Sequence, residues 1–81
     1  MITASEIWDI ICTKMPRNRW ILLEEIYQLV ERKAVLDSED FEPQSPSSDI
    51  PKWKRNVRNV LQYRKGRGDL KWNGKAGYFL G

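Results

Sequence analysis

The segment from Pro51 to Lys65 restricts the fold of this 81-residue chain more than any other part of it. With about 100° of rotation per residue, its large apolar side chains lie within about 50° of one direction; they are Trp53, Val57, Val60 and Leu61. No Asp or Glu occurs between Pro51 and Gly68. We therefore predict a helix over 51–65 that buries one apolar stripe and presents a cationic, acid-free face to solvent.

Charge is segregated along the chain. The last third, residues 51–81, has nine basic side chains and one acidic one, a formal charge of +8. Residues 37–50 have five acidic side chains and no basic one, and residues 1–36 are neutral. A positive field this concentrated predicts a polyanionic partner, although lysine and arginine that merely solvate a surface remain an alternative.

Composition excludes several kinds of chemistry. The chain has no histidine, and its single cysteine, Cys12, cannot form an internal disulfide or complete a zinc site. Without histidine, Ser–His and Cys–His catalysis within this chain is impossible. Glu39 and Glu42 could ligate Mg²⁺, but a loop lacks the rigid geometry that this ion demands. We therefore predict a non-enzymatic protein with no catalytic residue, no metal and no cofactor.

The N-terminal residues carry Glu6 and Asp9 instead of a basic stretch followed by an apolar run, so no targeting signal is predicted. No apolar stretch approaches the roughly 20 residues of a membrane span. These features predict a cytoplasmic, nucleoid-associated protein without membrane contact.

The remaining elements follow from local patterns. A capping box at Thr3 and Glu6 and a stop at Pro16 delimit a first helix. The predicted elements are a helix at 4–15, a strand at 20–22, helices at 23–34 and 51–65, and strands at 70–72 and 77–80 joined at Asn73-Gly74. We expect Trp53 in the core, Trp20 facing inward, Trp72 at least half-buried and Cys12 buried.

Residues 37–50 are acidic and rich in Pro and Ser, and we predict a long loop there. Ser48 or Asp49 is expected to cap the following helix, with Pro51 in its first turn. Two interpretations of the loop stay open. It is either a solvated connector or an autoinhibitory segment whose negative charge competes with nucleic acid for the basic face.

The order helix, strand, helix, loop, helix, strand, turn, strand resembles the winged helix-turn-helix architecture over nearly the whole chain. The run Trp53-Lys54-Arg55-Asn56-Val57-Arg58-Asn59-Val60-Leu61, followed by Gly68-Asp69-Leu70 and Gly77-Tyr78-Phe79-Leu80, resembles the winged-helix domains of restriction-type, Mrr-like nucleases. The long loop departs from a tight helix-turn-helix. So does Arg64, which stands where such domains carry an apolar residue.

The resemblance implies an α+β fold, one domain over 1–81, with three helices and a small antiparallel sheet whose C-terminal hairpin is the wing. It also implies binding of double-stranded DNA, with the third helix in the major groove and the wing on the backbone, as part of a restriction, modification or transcription-regulating system. The alternative is a protein-docking winged helix within a larger complex, with a nuclease or another protein subunit as partner. The DNA sequence and the oligomeric state stay open.

Candidate DNA contacts follow from the outward face of the third helix and from the hairpin. Arginine pairs with guanine, and asparagine or glutamine pairs with adenine, so the candidates for base readout are Lys52, Arg55, Asn59 and Gln62. The candidates for phosphate contacts are Lys54, Asn56, Arg58, Lys65, Arg67, Lys71 and Lys75. Arg64 falls on the core side, where its stem is expected to cover the core edge while its guanidinium reaches a phosphate or a carboxylate of the acidic loop.

Overall fold

A computed structural model describes all 81 residues and shows three helices and three short strands. In chain order they are α1 (Ala4–Lys14), β1 (Trp20–Leu22), α2 (Leu23–Lys33), α3 (Lys52–Arg67), β2 (Lys71–Trp72) and β3 (Gly77–Phe79). The predicted fold class, α+β with a small antiparallel sheet, is confirmed, and the C-terminal hairpin is consistent with a wing. None of the helices combines the length and apolar character needed to cross a bilayer.

Helix α1 begins at the predicted capping box. The Thr3 hydroxyl accepts a hydrogen bond from the Glu6 amide at 3.2 Å, and the Glu6 carboxylate accepts one from the Thr3 amide at 3.3 Å. The helix ends one residue before the predicted position, because Met15 is extended ahead of Pro16. Its apolar stripe buries Ile7 and Ile11 against the other helices.

The sheet has the strand order β1–β3–β2, so β1 pairs with the C-terminal hairpin in the small antiparallel sheet that the winged-helix resemblance implies. Ile21 pairs with Tyr78 in the antiparallel register, and both side chains are buried. Successive side chains of a strand point to opposite faces, so the neighbours of Ile21 must point away from the core. The prediction that Trp20 faces inward is therefore wrong, and its side chain is 50% exposed.

The core is centred on α3. Its predicted apolar stripe is buried in full, and Trp53, only 2% exposed, is the largest fully buried side chain. The Trp53 ring meets the Tyr27 ring of α2 edge-on, with centroids 5.9 Å apart. Cys12 of α1 is half-buried, which corrects the expectation that it is buried. The buried stripe fixes the rotation of α3, and this sets which side chains face solvent.

Helix α3 differs from its prediction at both ends. It continues through Gly66 and ends at Gly68, whose φ of 86° lies in the left-handed region and whose amide donates to the carbonyls of Arg64 and Lys65. The expectation that Ser48 or Asp49 caps its start is wrong. Pro51 is the N-cap and provides no side-chain cap, and the Ser48 hydroxyl accepts instead from the Ile50 amide.

The two glycines at the end of α3 should respond to alanine with opposite signs. Gly68→Ala forces a side chain into the left-handed conformation and should lower the free energy of unfolding by about 1 kcal/mol. Gly66→Ala, in the helix with open space around it, should raise it by about 0.5–1 kcal/mol. Urea denaturation of both variants measures this, and equal shifts in one direction would contradict the assignment of the cap.

The acidic loop is folded against the N-terminus and the start of α3. The carboxylate of Asp40 is fully buried and accepts hydrogen bonds from the amides of Ile2 at 2.9 Å and Asp37 at 3.0 Å. The carbonyl of Asp40 accepts from the Trp53 amide at 3.1 Å. Pro43 and Pro51 form an isolated antiparallel bridge. The interpretation of the loop as only a solvated connector is therefore wrong for the part around Asp40.

Met1 also contacts the acidic loop. The α-amino group of Met1 lies 2.7 Å from the Asp37 carboxylate in an exposed ion pair. That hydrogen bond raises the pKa of the amino group and lowers the pKa of the Asp37 carboxyl. The loop and the N-terminal segment are therefore joined by charge at Asp37 and by buried hydrogen bonds at Asp40.

The hairpin turn contains Asn73-Gly74, as the sequence predicts. Residues 73–76 connect β2 to β3, and Gly74 adopts a φ of 86°. The side-chain oxygen of Asn73 accepts from the amides of Lys75 at 2.8 Å and Gly77 at 3.1 Å. Each strand is one residue shorter than predicted, at 71–72 and 77–79, and the residue that each lacks, Leu70 or Leu80, lies at the end away from the turn.

Candidate nucleic-acid interface

The exposed face of α3 carries a polar ridge, which we call the α3 ridge. Its members are exposed and together line one shallow hollow; they are Arg55, Arg58, Asn59 and Gln62. Neither arginine of the ridge forms an ion pair. The two cations of the ridge are therefore not neutralised by a carboxylate of this chain.

Lys52, the fourth predicted base-reading residue, lies apart from this ridge. Its ammonium forms an ion pair with Glu42 of the acidic loop at 3.3 Å, and both side chains are partly exposed. Exposed pairs of this kind contribute little free energy, so a phosphate can compete with Glu42 for the ammonium. This is the only ion pair between the acidic loop and α3. The loop therefore touches the basic face at one end and leaves Arg55, Asn59 and Gln62 exposed.

On one flank of the ridge, two lysines of α3 lie against aromatic rings. The ammonium of Lys54 is 5.2 Å from the centroid of Tyr27 and 5.7 Å from that of Trp53. The ammonium of Lys65 is 4.3 Å from the centroid of Trp72 in the hairpin. Both contacts have cation–π geometry, so each lysine keeps its positive charge while the aromatic ring fixes the position of its ammonium group.

Arg58, at the edge of the α3 ridge next to this flank, acts electrostatically on two buried phenols. Burial raises the pKa of Tyr27 and of Tyr78, and the positive charge of Arg58 acts on both in the opposite direction. Arg58 therefore links the exposed face of α3 electrostatically to α2 and β3.

The hairpin supplies two further exposed cations, Lys71 and Lys75. Leu70, just before β2, is buried, whereas Trp72 is 43% exposed and lies against Lys65 outside the core. Lys75 lies in the turn, where its amide is held by Asn73.

The other flank of α3 carries cations that already have a carboxylate. Arg64 stacks on Trp8, with its guanidinium carbon 4.5 Å from the ring centroid, and pairs with Asp69 at 3.1 Å. The expected carboxylate partner in the acidic loop is thus replaced by Asp69. Arg67 also pairs with Asp69, at 3.5 Å, and a hydrogen bond to Tyr63 raises its pKa further. Of the predicted phosphate contacts, Arg67 is the one with an acidic neighbour.

Asn56 lies between the ridge and this flank. It is half-buried and lines a groove of about 600 Å³ between Met1–Ser5 and α3, together with Asn59 and Tyr63. The predicted site residues therefore divide into the α3 ridge, a flank toward the hairpin, and a flank toward α1. The sequence analysis missed the roles of Glu42, Asp69 and Trp72, because each depends on contacts outside the helical repeat.

The structure contains no group of three or more Cys, Asp or Glu side chains placed to hold a metal ion. Comparisons with protein-family models, with curated proteins and with solved structures gave no significant match to this chain. The geometry of α3 and the hairpin is therefore the basis for any functional conclusion.

Proposed function

We propose that this chain is a non-enzymatic module that binds double-stranded DNA, with α3 in the major groove and the hairpin beside it on the backbone. The observation that carries the proposal is the α3 ridge, which is exposed, cationic, rich in hydrogen-bonding groups and without a carboxylate. A face that serves only solvation more often pairs Glu with Lys four residues apart, because such pairs stabilise the helix. On α3 no acid is present to make that pair.

The spacing of the ridge suits base readout. Arg55 and Gln62, with Asn59 between them, are seven positions apart, or about 10 Å along a helix axis, which corresponds to about three base pairs. Arginine donates two parallel hydrogen bonds to guanine, whereas asparagine and glutamine both donate to and accept from adenine. The ridge therefore suits a short sequence element that contains G and A on the strand it reads.

Phosphate contacts come from Arg58 of the ridge and from the cations around it. Those without a carboxylate neighbour are Arg58, Lys54, Lys71 and Lys75, and Lys52 adds a fifth where a phosphate displaces Glu42. Lys65 has no carboxylate neighbour either, but its ammonium lies against Trp72. Asn56 and Arg67 are weaker candidates for phosphate contacts, because Asn56 is neutral and Arg67 shares the Asp69 carboxylate with Arg64. Contacts of this kind position a protein on the duplex without reading its sequence.

The salt dependence of binding tests this interface. If about five phosphates are neutralised, log K for a random-sequence duplex should fall with log salt at a slope of about −4 to −5. Lys75→Ala should weaken binding to all sequences alike and reduce the slope by about 1. Fluorescence anisotropy across a salt series measures both quantities.

A control variant separates local contact from net charge. Lys14→Ala removes one charge at the C-terminal end of α1, outside the proposed interface, and should leave the slope unchanged. An equal reduction in both variants would show that the slope reports net charge only. No retardation of random-sequence duplex at moderate salt would contradict DNA binding itself.

Protein docking is the second candidate function, and a separate surface favours it. The outer face of the sheet exposes Trp20 and Leu22, and the Trp20 ring lies 5.4 Å from that of Phe79. An NMR titration with duplex DNA should shift the amides of 52–65 and 71–77 if α3 and the hairpin bind DNA. A docking domain would show no such shifts with DNA.

Both functions are compatible with a targeting role. The resemblance to Mrr-like winged-helix domains supports a module that brings a restriction-type nuclease or another subunit to DNA. In that arrangement α3 and the hairpin contact DNA, and catalysis belongs to another polypeptide or segment.

A further inference from the structure

Lys65 connects α3 to the wing through one aromatic ring. Its ammonium lies 4.3 Å from the centroid of Trp72, the shortest cation-to-ring distance in the molecule. The indole N–H of Trp72 donates in turn to the carbonyl of Lys75 at 3.0 Å. We call the first of these the Lys65–Trp72 contact. Together the two interactions run from α3 to the turn of the hairpin.

Strand β3 is held by its pairing with β1, and the Leu23 amide donates to the carbonyl of Ala76 at 2.7 Å, but the edge strand β2 pairs with β3 alone. Strand β2 has two residues, and its register with β3 consists of Lys71 opposite Phe79 and Trp72 opposite Tyr78. An edge strand of two residues is held only weakly by its own ladder, so the position of β2 and of the turn that follows it depends on contacts with the rest of the fold. The Asn73 side chain orders the turn internally but does not attach it to α3.

The position of Lys65 is poorly suited to an independent phosphate contact. Its side chain is half-buried, and its ammonium already lies against the ring. Reaching a phosphate away from Trp72 would lose this attraction, which grows as the cation is desolvated. Lys71 and Lys75, by contrast, are exposed, and the Lys71 ammonium is 5.7 Å from the centroid of Phe79, which is farther than the 4.3 Å between Lys65 and Trp72.

We propose that Lys65 is a positioning residue for DNA binding: the Lys65–Trp72 contact holds the wing against α3 so that Lys71 and Lys75 meet the phosphate backbone. The inference rests on the proposed function for its effect on DNA, but the ordering of the wing is a property of the free protein. This positioning role replaces the predicted direct phosphate contact of Lys65. It also means that the wing is ordered only when the side chain at position 65 carries a positive charge.

The ordering is measured first in the absence of DNA. Heteronuclear {¹H}–¹⁵N NOE values for residues 73–76 should fall in Lys65→Met, which keeps an unbranched side chain one atom shorter and removes the cation. They should fall in Trp72→Leu as well. Lys65→Arg should restore wild-type values, because a guanidinium also stacks on an indole. Trp72→Phe keeps a ring without the indole N–H and separates the cation–π contact from the hydrogen bond to Lys75.

Binding to a duplex is measured on the same variants. Lys65→Met and Trp72→Leu should each weaken binding by about threefold to tenfold, and the double variant should bind no more weakly than the worse single variant. Additive losses, a salt slope reduced by about 1 in Lys65→Met and unchanged NOE values at 73–76 would overturn the proposal and show a direct phosphate contact.

The two proposals fail separately. If the wild-type chain binds no duplex while Lys65→Met lowers the NOE values, the proposed function is wrong and the Lys65–Trp72 contact still orders the wing. If the duplex is bound and the NOE values of Lys65→Met equal those of wild type, the positioning role is wrong and DNA binding stands.

Discussion

Replacing Asp40 with alanine should lower the free energy of unfolding by about 2–4 kcal/mol, a large fraction of the stability of a chain of this size. The carboxylate is fully buried, and it accepts from the amides of Ile2 and Asp37. Truncation removes both acceptors and leaves those donors without an acceptor in a site closed to water. Such orphaned groups cost more than the net gain of the original hydrogen bonds.

Asp40→Asn tests the origin of this loss. Asparagine keeps the shape and one acceptor, but it puts an amide NH₂ where one carboxylate oxygen accepts from a backbone N–H. It should therefore also be strongly destabilising. Asp49→Ala, at an exposed acidic position of the same loop, is the matched control and should change stability by no more than about 0.5 kcal/mol.

Urea denaturation followed by tryptophan fluorescence measures all three variants. Similar stabilities for Asp40→Ala and Asp49→Ala would show that Asp40 acts only through charge and would contradict the buried network. A loss confined to Asp40→Ala, with Asp40→Asn unaffected, would show that the carboxylate charge is dispensable there.

The sequence predicted the elements that are stabilised by interactions between residues close together in the chain. The capping box of α1 involves residues three apart, and the buried stripe of α3 follows from the helical repeat alone. The strand at Trp20–Leu22 was also predicted, from its short apolar run, whereas its place beside β3 was only implied by the winged-helix resemblance.

Long-range contacts explain what the sequence did not predict. Asp40 meets Ile2 across 38 residues, and no periodicity in an acidic, Pro- and Ser-rich loop signals which of its carboxylates is buried. Trp20 was expected inside because tryptophan is apolar, but the strand has room for only one inward side chain, and Ile21 takes it. The acid beside Arg64 and Arg67 is Asp69, which is brought back to α3 by the turn at Gly68.

The acidic loop has a structural role that bears on the candidate site. The carbonyl oxygens of Asp40 and Glu42 accept from the amides of Trp53 and Lys52, the first two residues of α3. These bonds satisfy helix amides that Pro51 cannot cap with a side chain. The loop thereby fixes where α3 starts, and it leaves the α3 ridge uncovered.

Arg55→Ala should weaken binding to a preferred duplex by about 1–3 kcal/mol, or about 5-fold to 150-fold, while weakening binding to a scrambled duplex much less. Arg55 is exposed and forms no ion pair, so its loss should not disturb the fold. Two parallel hydrogen bonds to one guanine would account for the difference between the two sequences. A duplex selected from a random library supplies the preferred sequence, and anisotropy at one fixed salt concentration gives both dissociation constants.

Arg67→Ala is the matched control, because it removes the same side chain from the same helix. Arg67 lies on the flank toward α1 and already shares Asp69, so its loss should leave the ratio of the two dissociation constants unchanged. Equal losses on both sequences for Arg55→Ala would remove base readout from the proposal and leave only phosphate binding. If Arg67→Ala changed the ratio of the two dissociation constants as much as Arg55→Ala does, the α3 ridge would not be the reading surface. An arginine that is paired with a carboxylate outside the ridge would then contribute as much to sequence preference as an unpaired arginine within it.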